Sequence, residues 1–246
     1  MLDITPGDSV VEVGPGIGFL TRHLQAQGAK VTAVELDAEC VGALESMTME
    51  NVSITHGDFL RYDLTPLGKI KVVGNVPYQI TTPILCYLFG EIGEPKPWFK
   101  NIERVVLTVQ YEVAQRFVSS PGSKEYSQIT LLTNYFAEAE IMQILPPASF
   151  YPAPRVTSAV VRFKPRTEPP VPCSNGKLLR QLIRAGFSQR RKMLKNNLAF
   201  LKMDEGSLNK IFSQLHLDPQ SRAERLSLLQ FARLTDAVEQ VKGPVD

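Results

Sequence analysis

Short apolar runs alternate with stretches of helical spacing along the first half of the chain. A buried strand shows as a continuous apolar run, whereas an amphipathic helix repeats its apolar residues every three or four positions. The apolar runs predict strands at residues 9–13, 30–34, 52–55, 70–74 and 104–109. The helical spacing predicts helices at residues 19–27, 37–47, 82–89 and 111–118. This alternation predicts a doubly wound, mostly parallel, Rossmann-like α/β sheet with helices on both faces.

The pattern changes after residue 127, where a predicted helix at 129–136 is followed by two β-rich runs at 140–145 and 156–163. These runs bring the predicted strands to seven, and we expect them to form a hairpin-like edge of the sheet. A proline-rich linker is predicted at 165–176. Only helical patterns follow, at residues 177–186, 193–201, 207–215 and 227–238. The sequence therefore predicts a sheet domain at residues 1–168 and a small all-helical C-terminal domain at 169–246.

Composition and length exclude several classes of protein. The 246 residues are 43% hydrophobic and 21% charged, which is ordinary for a globular protein. No run approaches the roughly 18 apolar residues of a membrane helix, and the N-terminus lacks the pattern of a secretory signal. Cys40, Cys86 and Cys173 have no spacing typical of a disulfide framework or a metal site. We therefore expect a cytoplasmic, monomeric protein without a metal.

Positive charge is concentrated in one segment. From Lys177 to Lys202 the chain has eight Lys or Arg residues and no Asp or Glu, whereas the rest carries 19 basic and 25 acidic residues. A basic segment without balancing acids is typical of a surface that binds nucleic-acid phosphates, although a solvated helix face is the alternative. The residues predicted to bind RNA are Arg190, Arg191, Lys192 and Lys195.

A glycine-rich turn and two acids follow the first three predicted strands. Gly14, Gly16 and Gly18 stand between the first strand and the first helix, where backbone can approach a ligand closely. Glu35 ends the second strand and Asp58 follows the third, so both carboxylates are expected at the same edge of the sheet. A helix N-terminal charge and a turn residue are the alternative roles of these two acids. The three features together favour a site for a nucleoside-type cofactor.

The fourth predicted strand ends in Gly74-Asn75-Val76-Pro77-Tyr78. The Asn75 amide oxygen and the carbonyl before Pro77 are two hydrogen-bond acceptors, and Tyr78 offers a ring face. Such a set suits methyl transfer to an exocyclic amine on a base, because acceptors on the amine hydrogens favour the geometry that frees the nitrogen lone pair. Catalysis would then rest on positioning and electrostatic stabilisation.

The ordered set of motifs resembles that of the S-adenosylmethionine-dependent ribosomal RNA adenine dimethyltransferases. Nearly the whole chain takes part in the resemblance. The matching segments are VEVGPGIGFL (11–20), VELD (34–37), GDF (57–59), NVPY (75–78), QYEVAQRF (110–117), FYPAPRVTSAVV (150–161) and FSQRRKMLKNNL (187–198). An N-x-P-Y loop also occurs in other amine methyltransferases, so Phe150 and the Pro-x-Pro segment after it carry much of the discrimination.

The resemblance implies a seven-stranded methyltransferase sheet and assigns roles to residues. Glu35 would bind the cofactor ribose and Asp58 the adenine amine. Asn75 and the Val76-Pro77 backbone would hold the target amine. Tyr78 and Phe150 would enclose a flipped adenine, although core filling is the alternative role of Phe150. The cofactor-binding set is Gly14, Gly16, Gly18, Glu35, Asp58, Phe59 and Asn75, and the catalytic set is Asn75, Pro77, Tyr78 and Phe150.

The resemblance also implies a substrate. Members closest to this pattern dimethylate two adjacent adenosines near the 3′ end of small-subunit rRNA, in free rRNA or in an assembling small subunit. A large-subunit rRNA methyltransferase conferring macrolide resistance and a non-catalytic RNA-binding assembly factor are the alternatives. Family members usually carry a Gln-Asn-Phe-Leu element before the first strand, which this sequence lacks, and we expect a truncation or a wrongly chosen start codon.

Overall fold

The computed structural model describes residues 1–242, and of Tyr78 only the backbone. Its contacts divide the chain into two compact units. Unit 1 comprises residues 1–90, 96–114 and 137–167, and unit 2 comprises residues 91–95, 115–136 and the chain from Glu168 onward. The last segment of unit 2 begins at Glu168, and the predicted division into 1–168 and 169–246 stays a prediction. Residues 91–95 and 115–136 also belong to unit 2, so this unit is not one consecutive range of the chain.

Unit 1 is built on a sheet of seven strands within the described part of the chain. The strands are β1 (Ser9–Val13), β2 (Lys30–Glu35), β3 (Val52–His56), β4 (Ile70–Asn75), β7 (Ile102–Gln110), β8 (Ala137–Leu145) and β9 (Ser158–Pro165). Two further short strands, β5 (Gly90–Glu91) and β6 (Glu94–Pro95), form a separate ribbon. The order in the sheet is β3-β2-β1-β4-β7-β9-β8.

The sheet is parallel from β3 to β7, and β9 runs antiparallel to both β7 and β8. The predicted late strand pair is present, and the second strand of the pair lies inside the sheet. Val13 in β1 pairs with both Val34 in β2 and Gly74 in β4. The carboxyl ends of β1, β2 and β4 are therefore level with each other at one edge. The prediction of a mostly parallel, doubly wound, seven-stranded sheet is confirmed.

The described helices are α1 (Phe19–Ala26), α2 (Ala38–Glu45), α3 (Thr81–Phe89), α4 (Tyr111–Phe117), α5 (Gln128–Phe136), α6 (Gly176–Ser188), α7 (Leu194–Asn197), α8 (Glu205–Gln214) and α9 (Leu228–Lys242). Strands covered on both faces form continuous apolar runs, which is why β1 and β4 were recognisable in the sequence. One core cluster joins Val10, Val31 and Val73 of the sheet to Leu24 of α1. None of the described helices is long and apolar enough to cross a membrane.

Two elements differ from the sequence prediction for physical reasons. The helix predicted at 193–201 is only the short α7, followed by a 3-10 turn at Ala199–Leu201. Asparagine is a weak helix former, and Asn197 donates its side-chain amide to the Gly186 carbonyl at 2.8 Å. Strand β8 begins three residues earlier than predicted because its first residues pair with β9, where Ala137 faces Pro165. Pairing with β9 thus extends β8 over residues whose own β-strand propensity is weak.

Unit 2 is helical, apart from residues of the β5–β6 ribbon. Its core contains Leu182 of α6, Phe212 of α8 and Phe231 of α9, which are all buried. Tyr126, from the segment before α5, is also buried, and its hydroxyl donates to the Leu226 carbonyl at 2.9 Å. The ring of Phe187 lies 6.1 Å from that of Tyr126. The middle segment of the chain is therefore part of the core of this helical unit.

Candidate active site

The glycine turn after β1 lies at the carboxyl edge of the sheet and has a left-handed backbone. The φ angle is +64° at Gly14, +56° at Gly16 and +83° at Gly18. A Cβ atom at Gly14 or Gly16 would meet none of the described atoms within 4 Å beyond the adjacent residues. A Cβ atom at Gly18 would lie 2.7 Å from Cδ2 of Leu44. The first two glycines thus border open space, whereas Gly18 allows the turn to pack against α2.

Glu35, the last residue of β2, binds the glycine turn. Its Oε2 accepts a hydrogen bond from the Gly16 amide at 2.9 Å. Its Oε1 accepts from the amides of Leu36 at 2.8 Å and Asp37 at 2.9 Å. A carboxylate has about four lone-pair sites, so three are used and one is left for a ligand hydroxyl. Glu35 therefore fixes the shape of the turn, a role that the sequence did not reveal.

Asp58 and Phe59 follow β3 at the same edge, and their environments differ. Asp58 Oδ1 accepts from the Leu60 amide at 2.9 Å, and its Oδ2 lies 3.8 Å from Arg61 Nε. Phe59 is 6% exposed, and its ring packs edge-on against Tyr87 with centroids 5.2 Å apart. The Asp58 carboxylate is partly open to a ligand, whereas the Phe59 ring belongs to the core.

The loop after β4 begins at Asn75, which is exposed. Its side-chain amide has no hydrogen-bond partner among residues 1–242. Val76 is buried at 2% exposure and anchors the loop, and the Pro77 carbonyl accepts from the Ile80 amide at 3.1 Å. The predicted stacking role of Tyr78 concerns a side chain outside the described part of the structure. The loop is thus held by buried Val76 and a closing hydrogen bond, and it leaves the Asn75 amide available.

A cavity of about 270 Å³ lies beside this loop. Its lining consists of Asn75, Val76, Pro77, Phe150, Tyr151, Pro152 and Pro154. The structure therefore brings together two sequence segments that are more than 70 residues apart, and with them three predicted site residues: Asn75, Pro77 and Phe150. The volume is slightly below the roughly 300 Å³ at which small-molecule pockets begin, so the cavity suits one small planar group.

Sequence reasoning missed Glu12, which lies in the middle of β1 and is 1% exposed. Its Oε2 has no hydrogen-bond partner in the described structure. Burial raises the pKa of Glu12 to about 7; Thr21 opposes this shift in part, and the negative charge of Glu35 adds to it. The signal available in the sequence was a carboxylate inside an otherwise apolar parallel strand. Such a group requires a partner, because an unpaired buried carboxylate is costly.

Five of the eight basic residues from Lys177 to Lys202 have acidic partners, contrary to the expectation of an unbalanced segment. Arg180 forms ion pairs with Glu91 and Glu94, and Arg184 donates to Glu91 at 2.7 Å. Lys177 lies 3.3 Å from Glu94. These acids precede the basic segment by more than 80 residues, so the linear charge count could not reveal them. The inference from absent balancing acids is therefore wrong for these three residues.

The four predicted RNA-binding residues fall into two groups. Arg190 donates to the carbonyls of Tyr126 at 3.0 Å and Lys124 at 3.1 Å and pairs with Glu224, and Lys195 lies 3.4 Å from Glu205. The side chains of Arg191 and Lys192 are exposed and have no ionic or hydrogen-bond partner within the described residues. Arg190 thus connects two segments of unit 2 and Lys195 forms a surface ion pair, whereas the other two cations face solvent.

Two solved structures that share this architecture are methyltransferases by name. A dimethyladenosine transferase from Plasmodium falciparum has a TM-score of 0.72 and 23% identity, with 95% of this chain and 90% of that chain covered. The 23S rRNA methyltransferase ErmE has a TM-score of 0.71 and 24% identity, with 97% and 94% covered. At these identities the likeness concerns the fold. Together with the sheet order, it shows that this chain shares the fold of these two enzymes.

Sequence relationships are more specific. The model of the ribosomal RNA adenine dimethylase family matches residues 1–240. The small-subunit rRNA methyltransferase A of Thermosynechococcus vestitus is 42% identical over 243 residues, 98% of this chain and 89% of that protein. The protein of the same name from Acaryochloris marina is 43% identical over 239 residues, 94% and 87%. The chain belongs to the ribosomal RNA adenine dimethylase family, as the motifs of the sequence indicated.

Proposed function

We propose that this protein transfers methyl groups from S-adenosylmethionine to the exocyclic amines of two adjacent adenosines near the 3′ end of small-subunit rRNA, each twice. The observation that carries the proposal is the cavity of about 270 Å³ between the Asn75–Pro77 loop and Phe150. It places a carboxamide, a proline-constrained backbone and an aromatic ring around space for one base. The small-subunit substrate is supported by relatives of that name with 42% and 43% identity.

The residues around the glycine turn fit the cofactor. S-adenosylmethionine supplies an electrophilic methyl group on a sulfonium centre when it is bound. Backbone at Gly14 and Gly16 borders open space, and Glu35 retains a lone-pair site for a ribose hydroxyl. Asp58 would accept from the adenine amine. The unpaired Oε2 of Glu12 lies in the strand that leads into the turn, and the ammonium of the cofactor would satisfy it.

The loop after β4 would activate the target amine by position. An adenine amine is a weak nucleophile because its lone pair is delocalised into the ring. The Asn75 side-chain oxygen and the Val76 carbonyl would each accept one amine hydrogen, which favours the pyramidal nitrogen that attacks the methyl group. The proton leaves after positive charge has developed on nitrogen, so a strong base is unnecessary. The residues contribute positioning and electrostatic stabilisation.

Recognition of the base and of the RNA would involve separate parts of the chain. Phe150 would stack on one face of a flipped adenine and Tyr78 on the other, which offsets the few kcal/mol needed to extract the base. The helical unit would bind RNA phosphates through the cations of Arg191 and Lys192. In this proposal, residues 1–168 carry the methyltransferase site and residues 169–246 the RNA-binding helices. A cytoplasmic location and a monomeric state stay predictions.

Methyl transfer from labelled S-adenosylmethionine to small ribosomal subunits that lack dimethyladenosine tests the proposal. Label is expected in dimethyladenosine near the 3′ end of the small-subunit rRNA. Asn75→Ala is expected to lower kcat at least 100-fold, because an acceptor at the reacting amine is lost. Asn209→Ala, an exposed substitution on α8, is the matched control and should retain full activity.

Two outcomes contradict the proposal. Label found only in large-subunit rRNA would support the macrolide-resistance type of activity. Binding of RNA without label, with Asn75→Ala indistinguishable from the wild type, would support a non-catalytic assembly factor. Mass mapping of methylated adenosines in rRNA from cells with and without the protein identifies the nucleotides.

A further inference from the structure

Tyr151 is a large aromatic residue without protein packing at the rim of the candidate active site. Its exposure is 102% of the reference value, the highest among the exposed large hydrophobic residues of the described chain. It nevertheless lines the cavity that Asn75 and Phe150 also line. Its hydroxyl has no hydrogen-bond partner among residues 1–242. An aromatic ring that is fully hydrated beside a cavity has its whole face available to a flat ligand.

The exposure of Tyr151 indicates which ligand it can reach. Phe150 is half-buried at the cavity, whereas the Tyr151 side chain, one residue further along, is fully exposed. The Tyr151 ring is therefore accessible to a group next to the one that Phe150 contacts, such as the next base along a bound polymer.

The segment that carries Tyr151 is stiff and lacks acids. Pro152 and Pro154 fix their own φ angles and restrict the residues before them, so the ring needs little ordering when it binds. Residues 146–157 contain Arg155 and no Asp or Glu. Arg155 is exposed and has no partner within the described chain. An exposed aromatic ring and an unpaired arginine on one short segment are typical of a surface that binds single-stranded nucleic acid.

We infer that Tyr151 forms a second nucleobase site, which stacks on a nucleotide adjacent to the target adenosine and positions the RNA strand at the cavity. The inference rests on the proposed function and extends it from one base to two. Tyr151 touches the neighbouring base and not the reacting amine. Its loss should therefore raise KM and leave kcat nearly unchanged.

The test uses small subunits reconstituted with rRNA whose 3′-terminal hairpin is synthetic. One RNA is intact, and two others carry an abasic nucleotide on the 5′ or the 3′ side of the target adenosine. On intact RNA, Tyr151→Ala is expected to raise KM about tenfold with kcat within about twofold, whereas Tyr151→Phe should behave as the wild type. On one of the abasic RNAs, wild type and Tyr151→Ala should have equal KM, because the stacked base is absent.

Three results would overturn the inference. The first is an unchanged KM for Tyr151→Ala on intact RNA. The second is an equal increase of KM, caused by Tyr151→Ala, on the intact RNA and on both abasic RNAs. In either case the wild type still methylates intact particles, so the proposed function stands. The third is a wild type that methylates no adenosine in the particles, which removes both proposals. Thermal melting of Tyr151→Ala should match the wild type, since the side chain makes no packing contacts.

Discussion

Glu12 illustrates how one side chain can connect stability with a binding site. Its carboxyl group is buried in β1, and burial raises its pKa to about 7 from an ordinary value of 4.5. Between these two pH values the folded protein holds a proton that the unfolded chain has released. The free energy of unfolding therefore falls as pH rises through this range, and the loss is complete above pH 7.

We expect Glu12→Gln to remove this dependence. The amide cannot ionise, so the stability of the variant relative to the wild type should increase by about 3 kcal/mol between pH 4.5 and pH 7.5. Urea unfolding of both proteins across this range measures the difference. Glu45→Gln, at an exposed position on α2, is the control and should follow the wild type. Parallel pH profiles for wild type and Glu12→Gln would show that the buried carboxyl group titrates normally.

At the scale of elements, the basic motif Arg190-Arg191-Lys192 after α6 contains side chains in two different environments. Arg190 connects the end of α6 to the segment before α5 through the carbonyls of Lys124 and Tyr126. Arg191 and Lys192 follow directly, and their cations face solvent. Adjacent residues of one sequence motif thus differ in environment, because only Arg190 meets acceptors from another part of the chain.

This difference predicts opposite effects of substitution. Arg190→Ala should lower the free energy of unfolding by about 1–2 kcal/mol, because it leaves backbone carbonyls without a donor. The double variant Arg191→Ala/Lys192→Ala should keep wild-type stability and reduce the slope of RNA affinity against salt by about 2. Lys210→Ala on α8 removes an exposed cation outside the motif and serves as the control. An unchanged slope in the double variant would remove both residues from the RNA interface.

At the scale of the whole molecule, the helical unit is not a continuous stretch of chain. Residues 91–95 supply Glu91 and Glu94 to the arginines of α6, and residues 115–136 supply the buried Tyr126. The proline-rich linker at 165–176 marks a change of unit, but the unit itself begins earlier. A cut at the linker therefore removes part of its core.

We expect a fragment of residues 169–246 to lack cooperative unfolding. Without Tyr126 the Leu226 carbonyl loses its donor, and Phe187 loses one of its two ring neighbours and keeps Phe231. Far-UV circular dichroism during urea titration should give a broad transition for the fragment and a sharp one for the full chain. Addition of a peptide of residues 115–136 should increase the helical signal of the fragment. A sharp transition of the fragment alone would show that the last segment folds independently.

The local elements, the mostly parallel sheet and the family could be read from the sequence alone. Parallel strands are buried on both faces, so β1 and β4 are mostly apolar, interrupted by Glu12 in β1 and Lys71 in β4. The turn after β1 needs glycine for its left-handed backbone. These signals lie within a few neighbouring residues. For the same reason Gly14, Glu35, Asp58 and Asn75 could be predicted as site residues without coordinates, and their roles stay predictions.

The partners of the charged side chains follow from tertiary packing. Arg180 pairs with Glu91 and Arg190 with carbonyls of a segment that is distant in sequence. The three amides on Glu35 reach it because of the shape of a particular turn. A linear count of charges contains no information about such distances. The meeting of Asn75 with Phe150 and Tyr151 at one cavity likewise depends on the order of strands in the sheet. Burial and pairing are properties of packing, and packing is not a local property.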